Sequence, residues 1–186
     1  MSPQNPSSLD SVRYKALIYT HLNYQNYSTK EFFIDKCDLG LGTFANRDLE
    51  IGEVILTFAG PLIDFEETKT RGCWECMPIQ IDENIYIDTV APGVFVNHSC
   101  APNAGIKRDR DLVALHRIQK GEEIRFDYST TMEENSFRMK CECRHHACRG
   151  VIADFSTLRY EKRLEYIQHE NVMSFIARKY RLLTLA

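Results

Sequence analysis

Three cysteines lie within eight positions of one loop, and this spacing constrains the fold more than any other feature of the chain. The stretch reads CECRHHACRG, residues 141–150, with thiols at Cys141, Cys143 and Cys148. Zinc held by thiolates takes four ligands in a tetrahedron, and a closed shell of four cysteines marks a structural site. Ordinary thiols are the alternative, but such dense spacing favours a metal. The loop therefore predicts a metal site that needs a fourth ligand.

Spacing alone does not identify that fourth ligand. The candidates are the neighbouring His145 and His146 and the distant Cys37, Cys73, Cys76 and Cys100. The CxxC pair of Cys73 and Cys76 has a gap typical of zinc ligands, although two thiols on a helical turn would explain it equally well. The chain has seven cysteines, an odd number that fits free thiols or metal ligands better than a disulfide framework.

Composition narrows the class of protein. A chain of 186 residues with 44% hydrophobic residues can bury a core as one domain, with at most a small appendage. The net charge of −3 argues against a general nucleic-acid binder, so no direct nucleic-acid partner is expected. The start MSPQNPSSLD lacks the features of a secretory signal, and no stretch approaches the ~18 apolar residues of a membrane span. We expect an intracellular protein with no membrane partner, in the nucleus or the cytoplasm, with disulfides unlikely to form.

Short strand patterns dominate the middle of the chain. Runs rich in β-branched and aromatic residues predict strands at residues 53–58, 79–81, 85–87, 112–115 and 123–126. Many short strands at close spacing predict a β-rich core rather than βαβ units. The Gly-Leu-Gly run at residues 40–42 predicts a sharp break, and residues 64–76 predict a helix in part.

Helical periodicity takes over near the C-terminus. From Ser156 to Arg181, apolar residues recur at roughly helical spacing among charged ones. Two amphipathic helices that break near residues 169–171 account for the pattern. We expect them to cap the core, with their basic residues forming a solvated face rather than a nucleic-acid patch.

Four motifs in a fixed order carry a family resemblance. They are GLGTFA at residues 40–45, FVNHSCAPN at 95–103, GEEIRFDY at 121–128 and the cysteine loop with its following Arg-Gly. A lone GxG would mean little, but together the motifs strongly resemble the SET-domain protein lysine methyltransferases and their post-SET segment. The resemblance spans roughly residues 30–150.

The resemblance implies a fold and a division of the chain. The fold would be mostly β, a SET fold of several small curved sheets with a knot-like C-terminal threading, plus a C-terminal helical extension. Such threading is unusual, because connections rarely pass through loops. The implied segments are an N-terminal extension (1–29), a SET domain (30–130), a post-SET zinc segment (131–152) and the C-terminal helical extension (153–186).

The resemblance also names the metal ligands and the cofactor. A structural zinc would be held by Cys100, Cys141, Cys143 and Cys148. The cofactor would be S-adenosylmethionine, with glycines that let the backbone approach a bulky ligand. A plain tight turn would also explain the glycines, and a satisfied core histidine would explain the histidine of NHSC. The implied cofactor-binding residues are Gly40, Leu41, Gly42, Thr43, Asn97 and His98.

By the same resemblance, Tyr128 is the catalytic residue, with its hydroxyl at the point of methyl transfer. Phe58, Met77 and Phe126 would line the lysine channel. The family often has a tyrosine where Phe58 stands, another tyrosine near Met77, and an arginine where Val94 stands. Phenylalanine rather than tyrosine at position 126 favours transfer of more than one methyl group.

The implied function is transfer of methyl groups from S-adenosylmethionine to the ε-amine of lysine in a protein or peptide, either a histone tail or another protein. The alternative is a catalytically weak SET protein that serves as a zinc-stabilised peptide- or protein-binding module. The changes at Phe58, Met77 and Val94 keep this alternative open. A zinc-ribbon nucleic-acid binder would explain only the cysteines, and it conflicts with the net charge.

Overall fold

Short strands and tight turns make up most of the chain. The computed structural model describes residues 24–70 and 77–183, and the backbone alone for 182 and 183. Within these ranges the strands pair into four small sheets, which confirms the mostly β fold class. The knot-like threading and the segment boundaries stay predictions. The strands are β1 (Phe32–Cys37), β2 (Gly40–Ala45), β3 (Val54–Thr57), β4 (Leu62–Ile63), β5 (Ile79–Asp82), β6 (Ile85–Ile87), β7 (Asn97–His98), β8 (Ala104–Lys107), β9 (Asp111–Ala114), β10 (Glu123–Phe126), β11 (Arg138–Lys140) and β12 (Val151–Ala153).

The first sheet, in the order β1-β2-β10-β7, brings three of the four motifs side by side. Strands β1 and β2 form an antiparallel hairpin, and β10 runs antiparallel to β2. Strand β7 then pairs in parallel with β10, so that Arg125 lies opposite Asn97 and Phe126 opposite His98. This pairing assembles the site from segments that are far apart in the sequence.

The break predicted at residues 40–42 is wrong. The turn lies earlier, at Asp38 and Leu39, and Gly40 already pairs with Cys37 as the first residue of β2. Gly40 has a φ of 103°, which glycine adopts without steric cost directly after a tight turn. The chain then continues as a regular strand to Ala45, because its backbone pairs along the whole of β1.

The remaining strands form three smaller sheets. Strands β3, β9 and β8 form one antiparallel sheet, and β4, β6 and β5 form another. The predicted strands in these sheets and at β10 are confirmed, with shifts of one residue or so at their ends. Strands β11 and β12 pair with each other, with Lys140 opposite Val151, and so close the base of the cysteine loop.

A polar capping box starts the short helix α1 (Phe65–Lys69). The Asp64 carboxylate accepts the Glu67 N–H at 2.9 Å, and the Glu67 carboxylate accepts the Asp64 N–H at 3.1 Å. These reciprocal bonds satisfy backbone donors that a helix start leaves free. The helix predicted within residues 64–76 is confirmed in its first part, while the pair Cys73 and Cys76 lies outside the described residues.

Two helices, α2 (Tyr160–Gln168) and α3 (Ser174–Leu183), follow the cysteine loop and break where the sequence predicts. Their apolar faces enter the same hydrophobic core as the sheets, and Ile167 and Ile176 belong to the core cluster that also contains Phe155. Burial of each such side chain contributes about 1.5–3 kcal/mol, which explains why the extension stays docked. No helix in the described ranges is both long and apolar enough to cross a membrane.

Candidate active site and metal centre

A narrow cavity brings together the four residues that the sequence assigns to the channel and to catalysis: Phe58, Met77, Phe126 and Tyr128. Its volume of about 30 Å³ is little more than a water molecule needs. Among the described residues that line it, none carries a charge. The sequence reasoning did not assign the remaining lining residues to the channel, and they are Pro78, Ile79, Thr89, Gly93, Val94, Val96, Thr131, Met132 and Phe137.

Aromatic rings form one wall of this cavity. The ring centroids of Phe58 and Phe126 lie 5.6 Å apart, and those of Phe126 and Tyr128 lie 4.9 Å apart. The ring pairs are tilted, an arrangement that aromatic quadrupoles favour over a flat sandwich. A Cβ atom at Gly93 would lie 2.8 Å from the Phe58 ring and 2.9 Å from the Thr89 methyl group. The wall therefore depends on glycine at position 93.

Tyr128 is the first residue of the 3-10 turn Tyr128–Thr131, and one residue separates it from the end of β10. Its backbone N–H donates to His98 Nδ1 at 3.2 Å. Its hydroxyl donates to the Val96 carbonyl at 2.8 Å. A hydroxyl that donates its proton to the backbone keeps lone pairs to accept a hydrogen bond. Tyr128 can therefore orient an N–H group that enters the cavity.

His98 connects this tyrosine to the cysteines. The side chain is only 5% exposed. Burial lowers the pKa of His98 to about 4, although the charge of Asp127 works in the opposite direction, and the ring is neutral at pH 7. Because Nδ1 accepts the Tyr128 N–H, the proton of the neutral ring is on Nε2. Nε2 lies 3.3 Å from Cys100 Sγ, which it faces as a donor.

Asn97 occupies a polar cluster beside the glycines of β2. Its side-chain amide donates to the Leu41 carbonyl at 3.0 Å and to the Glu123 carboxylate at 2.9 Å. A Cβ atom at Gly42 would lie 2.7 Å from the Glu123 carboxylate and 3.3 Å from the Asn97 amide nitrogen. Gly42 therefore leaves room for these polar groups. Sequence reasoning had not assigned Glu123 a role, although it stands within the quoted GEEIRFDY motif.

Thr43 and Leu41 differ from the other predicted cofactor residues in their surroundings. Thr43 is fully buried, opposite Ile34 in β1 and Ile124 in β10. Among the described residues its hydroxyl has no hydrogen-bond partner. Leu41 is 8% exposed and belongs to the hydrophobic core. Both side chains pack in the interior, while the backbone carbonyl of Leu41 faces Asn97.

The thiols of Cys100, Cys141, Cys143 and Cys148 form one group, called here the cysteine cluster. The Sγ atoms of Cys100 and Cys141 are 3.6 Å apart, and the Cys148 thiol contacts those of Cys141 and Cys143. Zinc–thiolate bonds of about 2.3 Å in a tetrahedron place sulfurs about 3.8 Å apart. The donor atoms that all lie within 4.8 Å of one another belong to the buried His98, Cys100, Cys141 and Cys143, and this group fits a metal ion. Cys148 lies outside that group and joins it through its contacts with Cys141 and Cys143.

The chemistry of the thiols also fits a cation. Burial raises the pKa of Cys100 to about 11 and raises the pKa of Cys141 as well. Without a cation both thiols would stay protonated at neutral pH. A divalent ion deprotonates coordinating thiols outright and neutralises the buried charge.

A buried carboxylate next to Tyr128 ties three parts of the chain together. Asp127 is 1% exposed and accepts hydrogen bonds from Nη1 and Nη2 of the Arg149 guanidinium, each at 2.7 Å. It also accepts the Ser129 N–H at 3.1 Å and the Tyr166 hydroxyl at 2.9 Å. The Arg149 backbone N–H donates to Cys100 Sγ at 3.4 Å. No sequence pattern points to Tyr166, because its position fits an ordinary buried helix face.

Comparison with known proteins agrees with these features. Residues 40–129 match the family model of the SET domain. Trithorax of Drosophila virilis, a histone-lysine N-methyltransferase, is 28% identical over 158 residues, which is 76% of this chain and 4% of that protein. The histone-lysine N-methyltransferases trr of Drosophila melanogaster and 2B of Homo sapiens are 33% and 30% identical over 59% and 61% of this chain.

This chain spans only 4–5% of the length of these relatives. A solved structure of a Plasmodium falciparum protein described as a histone methyltransferase covers 53% of this chain and 93% of its own, with 25% identity and a TM-score of 0.44. Three of the four motifs, GLGTFA, FVNHSCAPN and GEEIRFDY, and the strands β2, β7 and β10 lie within residues 40–129, the part of the chain that matches the SET-domain family model.

Proposed function

We propose that this chain transfers methyl groups from S-adenosylmethionine to the ε-amine of lysine in a protein substrate. The observation that carries the proposal is the position of the Tyr128 hydroxyl, which lines a narrow, uncharged cavity with Phe58, Met77 and Phe126. The printed names of the relatives, which are histone-lysine N-methyltransferases, support the same reaction.

The cavity would prepare the amine for attack. A lysine amine must be neutral to act as a nucleophile, and its ordinary pKa is near ~10.4. Uncharged, apolar walls disfavour the ammonium form and so lower the pKa of a lysine that enters. The bound cofactor would supply an electrophilic methyl group on a sulfonium.

Tyr128 would then orient the neutral amine. Its oxygen is held by the Val96 carbonyl at 2.8 Å, so an amine N–H that donates to it is fixed in direction. Such alignment accounts for a large share of catalysis in bimolecular displacements. The new nitrogen–carbon bond would replace the carbon–sulfur bond of the sulfonium, and the cofactor would leave as a neutral thioether. Tyr128 need not act as a base, because the methylated ammonium can lose its proton to solvent afterwards.

The polar cluster beside β2 is suited to the amino-acid part of the cofactor. We assign this contact to Asn97, to the Leu41 carbonyl and to the backbone at Gly40 and Gly42, because glycine leaves the backbone accessible. His98 would support the site through Tyr128 and the cysteine cluster. Thr43 would contribute through its backbone position in β2, since its side chain is enclosed.

The cysteine cluster would hold a structural zinc. Of the two sets of neighbouring ligands, the four thiols fit better than a set that includes His98. His98 Nε2 carries the ring proton, so it is a donor to the Cys100 thiolate rather than a ligand. A histidine that hydrogen-bonds a metal ligand tunes and orients that ligand.

The substrate would be a lysine in a histone tail or in another protein, and the protein would work inside the cell. Phe126 is 3% exposed and packs between Phe58 and Tyr128 without a hydroxyl to hold a water molecule. This packing supports transfer of two or three methyl groups. Mass spectra with only monomethyl product would contradict that part of the proposal.

The experiment is methyl transfer from labelled S-adenosylmethionine into histones, basic peptides and cell lysate, with Tyr128→Phe in parallel. We expect label in a protein band with the native chain and a loss of at least about 100-fold with the variant. Calorimetry with S-adenosylmethionine checks that the variant still binds the cofactor.

The alternative function is a zinc-stabilised binding module. It is favoured by Phe58 and Met77, which leave the cavity without hydroxyls that the family often has there, and by Val94, which stands where the family often has a positive charge near the cofactor site. Cofactor and peptide binding without any methyl transfer would support the module and contradict the proposed enzyme.

A further inference from the structure

The C-terminal helical extension makes hydrogen bonds to the stretch that carries Tyr128. The structure describes this extension to residue 183. We propose that this extension is part of the active site, and that Tyr166 positions Tyr128 by acting through Asp127. The inference rests on the proposed function. The Tyr128 segment is defined here as residues 127–133.

The first attachment is at the start of the Tyr128 segment. Tyr166, in α2, is 3% exposed and donates its hydroxyl to Asp127 at 2.9 Å. An ionised carboxylate offers about four acceptor sites. Arg149 fills two of them, the Ser129 N–H fills a third, and Tyr166 fills the last. Because a buried carboxylate without its full set of donors is costly, removal of the Tyr166 hydroxyl should shift Asp127.

A shift of Asp127 reaches Tyr128 by two short routes. The two residues are adjacent in the chain, and Asp127 caps the 3-10 turn that Tyr128 begins. In addition, the Asp127 carboxylate lies 3.6 Å from His98 Nδ1, the atom that accepts the Tyr128 N–H. Tyr166 is not among the residues that line the cavity, yet it holds the carboxylate on which the placement of Tyr128 depends.

The second attachment is at the end of the same segment. Glu133 is 7% exposed and accepts Lys179 Nζ at 2.9 Å and the Tyr180 hydroxyl at 2.6 Å, both from α3. Backbone bonds lie between the two attachments: the Met173 N–H donates to the Thr130 carbonyl at 3.1 Å, and the Phe155 N–H donates to the Met132 carbonyl at 2.9 Å. The extension thus holds the Tyr128 segment from one end to the other.

These contacts distinguish the extension from a helical cap that only covers apolar surface. Such a cap would pack against core side chains, whereas this one supplies hydrogen bonds to the backbone and carboxylates of residues that flank Tyr128. Thr131 and Met132, in the middle of the segment, also line the cavity. Because a misplacement of about 1 Å can cost a factor of about 100 in rate, the attachment should matter for turnover.

The test compares Tyr166→Phe with Tyr86→Phe. Tyr86 is an equally buried tyrosine, 1% exposed, whose hydroxyl donates to Glu134 at 2.7 Å and does not contact Asp127. We expect Tyr166→Phe to lower kcat by about 10- to 100-fold, with KM for the peptide and the cofactor dissociation constant within about twofold of the native values. Tyr86→Phe should lower Tm by as much as Tyr166→Phe does, but its kcat should stay within about twofold of the native value.

A double-variant cycle checks the route. In an Asp127→Asn background, Tyr166→Phe should lower kcat little further, because both changes act on the same carboxylate. Full additivity of the two losses would overturn the route through Asp127.

A readout without turnover separates this inference from the proposed function. In protein labelled with fluorotyrosine, the ¹⁹F signal of Tyr128 is identified by its loss in Tyr128→Phe. We expect Tyr166→Phe to shift or broaden that signal and Tyr86→Phe to leave it unchanged. Identical Tyr128 signals in the two variants would overturn the inference. If the native chain methylates nothing, the proposed function fails, and the ¹⁹F result alone decides whether the extension positions Tyr128.

Discussion

At Tyr128, the backbone and the hydroxyl are each held by a residue in or next to β7. The N–H is bound by His98 and the hydroxyl by the Val96 carbonyl, and the His98 ring packs against the tyrosine ring at a centroid distance of 5.3 Å. Two of these three contacts survive when the hydroxyl is deleted. Phenylalanine at position 128 should therefore keep the ring in place, so that the lost activity reports on the hydroxyl itself.

Gly93 lies directly against the Phe58 ring of the aromatic wall. Gly93→Ala places a Cβ atom about 2.8 Å from the Phe58 ring, closer than real contacts allow, and Phe58 is only 1% exposed. The Phe58 ring and the Thr89 methyl group must shift, and because both residues line the cavity, its shape changes. We expect kcat/KM for a lysine peptide to fall by about tenfold or more, because small errors of alignment are costly. Cofactor binding, measured by calorimetry, should stay within about twofold.

The matched control for this change is Gly105→Ala in β8. Its Cβ atom would lie 2.8 Å from the end of the Leu115 side chain, so the crowding is similar but the neighbour is flexible and does not line the cavity. This variant should lose some stability and retain its kcat/KM. An equal loss of kcat/KM in both glycine variants would mean that general destabilisation, and not a change in the channel, lowers the activity of Gly93→Ala.

At the scale of elements, the sequence predicts local secondary structure well and the pairing of strands poorly. Strands β3, β5, β6, β9 and β10 follow from their β-branched runs, and the break between α2 and α3 follows from the apolar period. The sequence places the β1–β2 turn wrongly, because the glycines in GLGTFA look like a chain break. In the structure they are extended, since every residue of β2 pairs with β1. Local residue preference cannot reveal a pairing partner elsewhere in the chain.

The element-scale prediction concerns the metal. Strands β11 and β12 have only three residues each, and Arg138 and Lys140 at the ends of β11 are exposed. So short a hairpin is marginal without another constraint. We expect about one zinc ion per chain, and we expect chelation to unfold the cysteine loop, lower Tm and abolish methyl transfer. Metal analysis and thermal unfolding with and without chelator measure these effects.

Two cysteine variants separate the metal site from ordinary thiols. Cys100→Ser should lose most of the zinc, because Cys100 is the distant member of the cysteine cluster. Cys37→Ser should keep it, since Cys37 is half-buried beside Asn97 and outside the cluster. Full zinc content in Cys100→Ser, or none in the native chain, would contradict the assigned ligand set.

At the scale of the whole molecule, the site exists only because distant segments meet. The parallel pairing of β7 with β10 places Asn97 and His98 beside Arg125 and Phe126, and the hairpin adds Gly42. The motifs indicate which residues participate, and the structure places Phe58, Met77, Phe126 and Tyr128 around one cavity. The bonds from Arg149 and Tyr166 to Asp127 were not predictable, because buried ion pairs and hydroxyl contacts leave no periodic trace in a sequence.

The hydrogen bonds from α3 to Glu133 should make the extension contribute to the stability of the whole chain. Burial raises the pKa of Glu133, but hydrogen bonds from Tyr180, Lys179 and the Ser156 N–H outweigh it, so the pKa lies below its ordinary value of 4.5. A carboxylate with a lowered pKa stabilises the folded state above the unfolded pKa, and this contribution disappears as the pH falls through the folded pKa. We therefore expect Glu133→Gln to cost roughly 1–3 kcal/mol at pH 7.

That cost should shrink as the pH falls below about 4.5, because the native carboxylate then becomes protonated as well. The pKa of Asp154 is shifted in the opposite direction, because burial and the charges of Glu133 and Glu134 raise it. Loss of the Glu133 charge removes part of this repulsion and so offsets part of the cost of Glu133→Gln at neutral pH. Urea unfolding at several pH values measures the difference, with Glu66→Gln on the exposed face of α1 as the control that should change stability little at any pH. A cost for Glu133→Gln that is the same at pH 3 and pH 7 would mean that the contribution comes from packing and not from the charged bonds to α3.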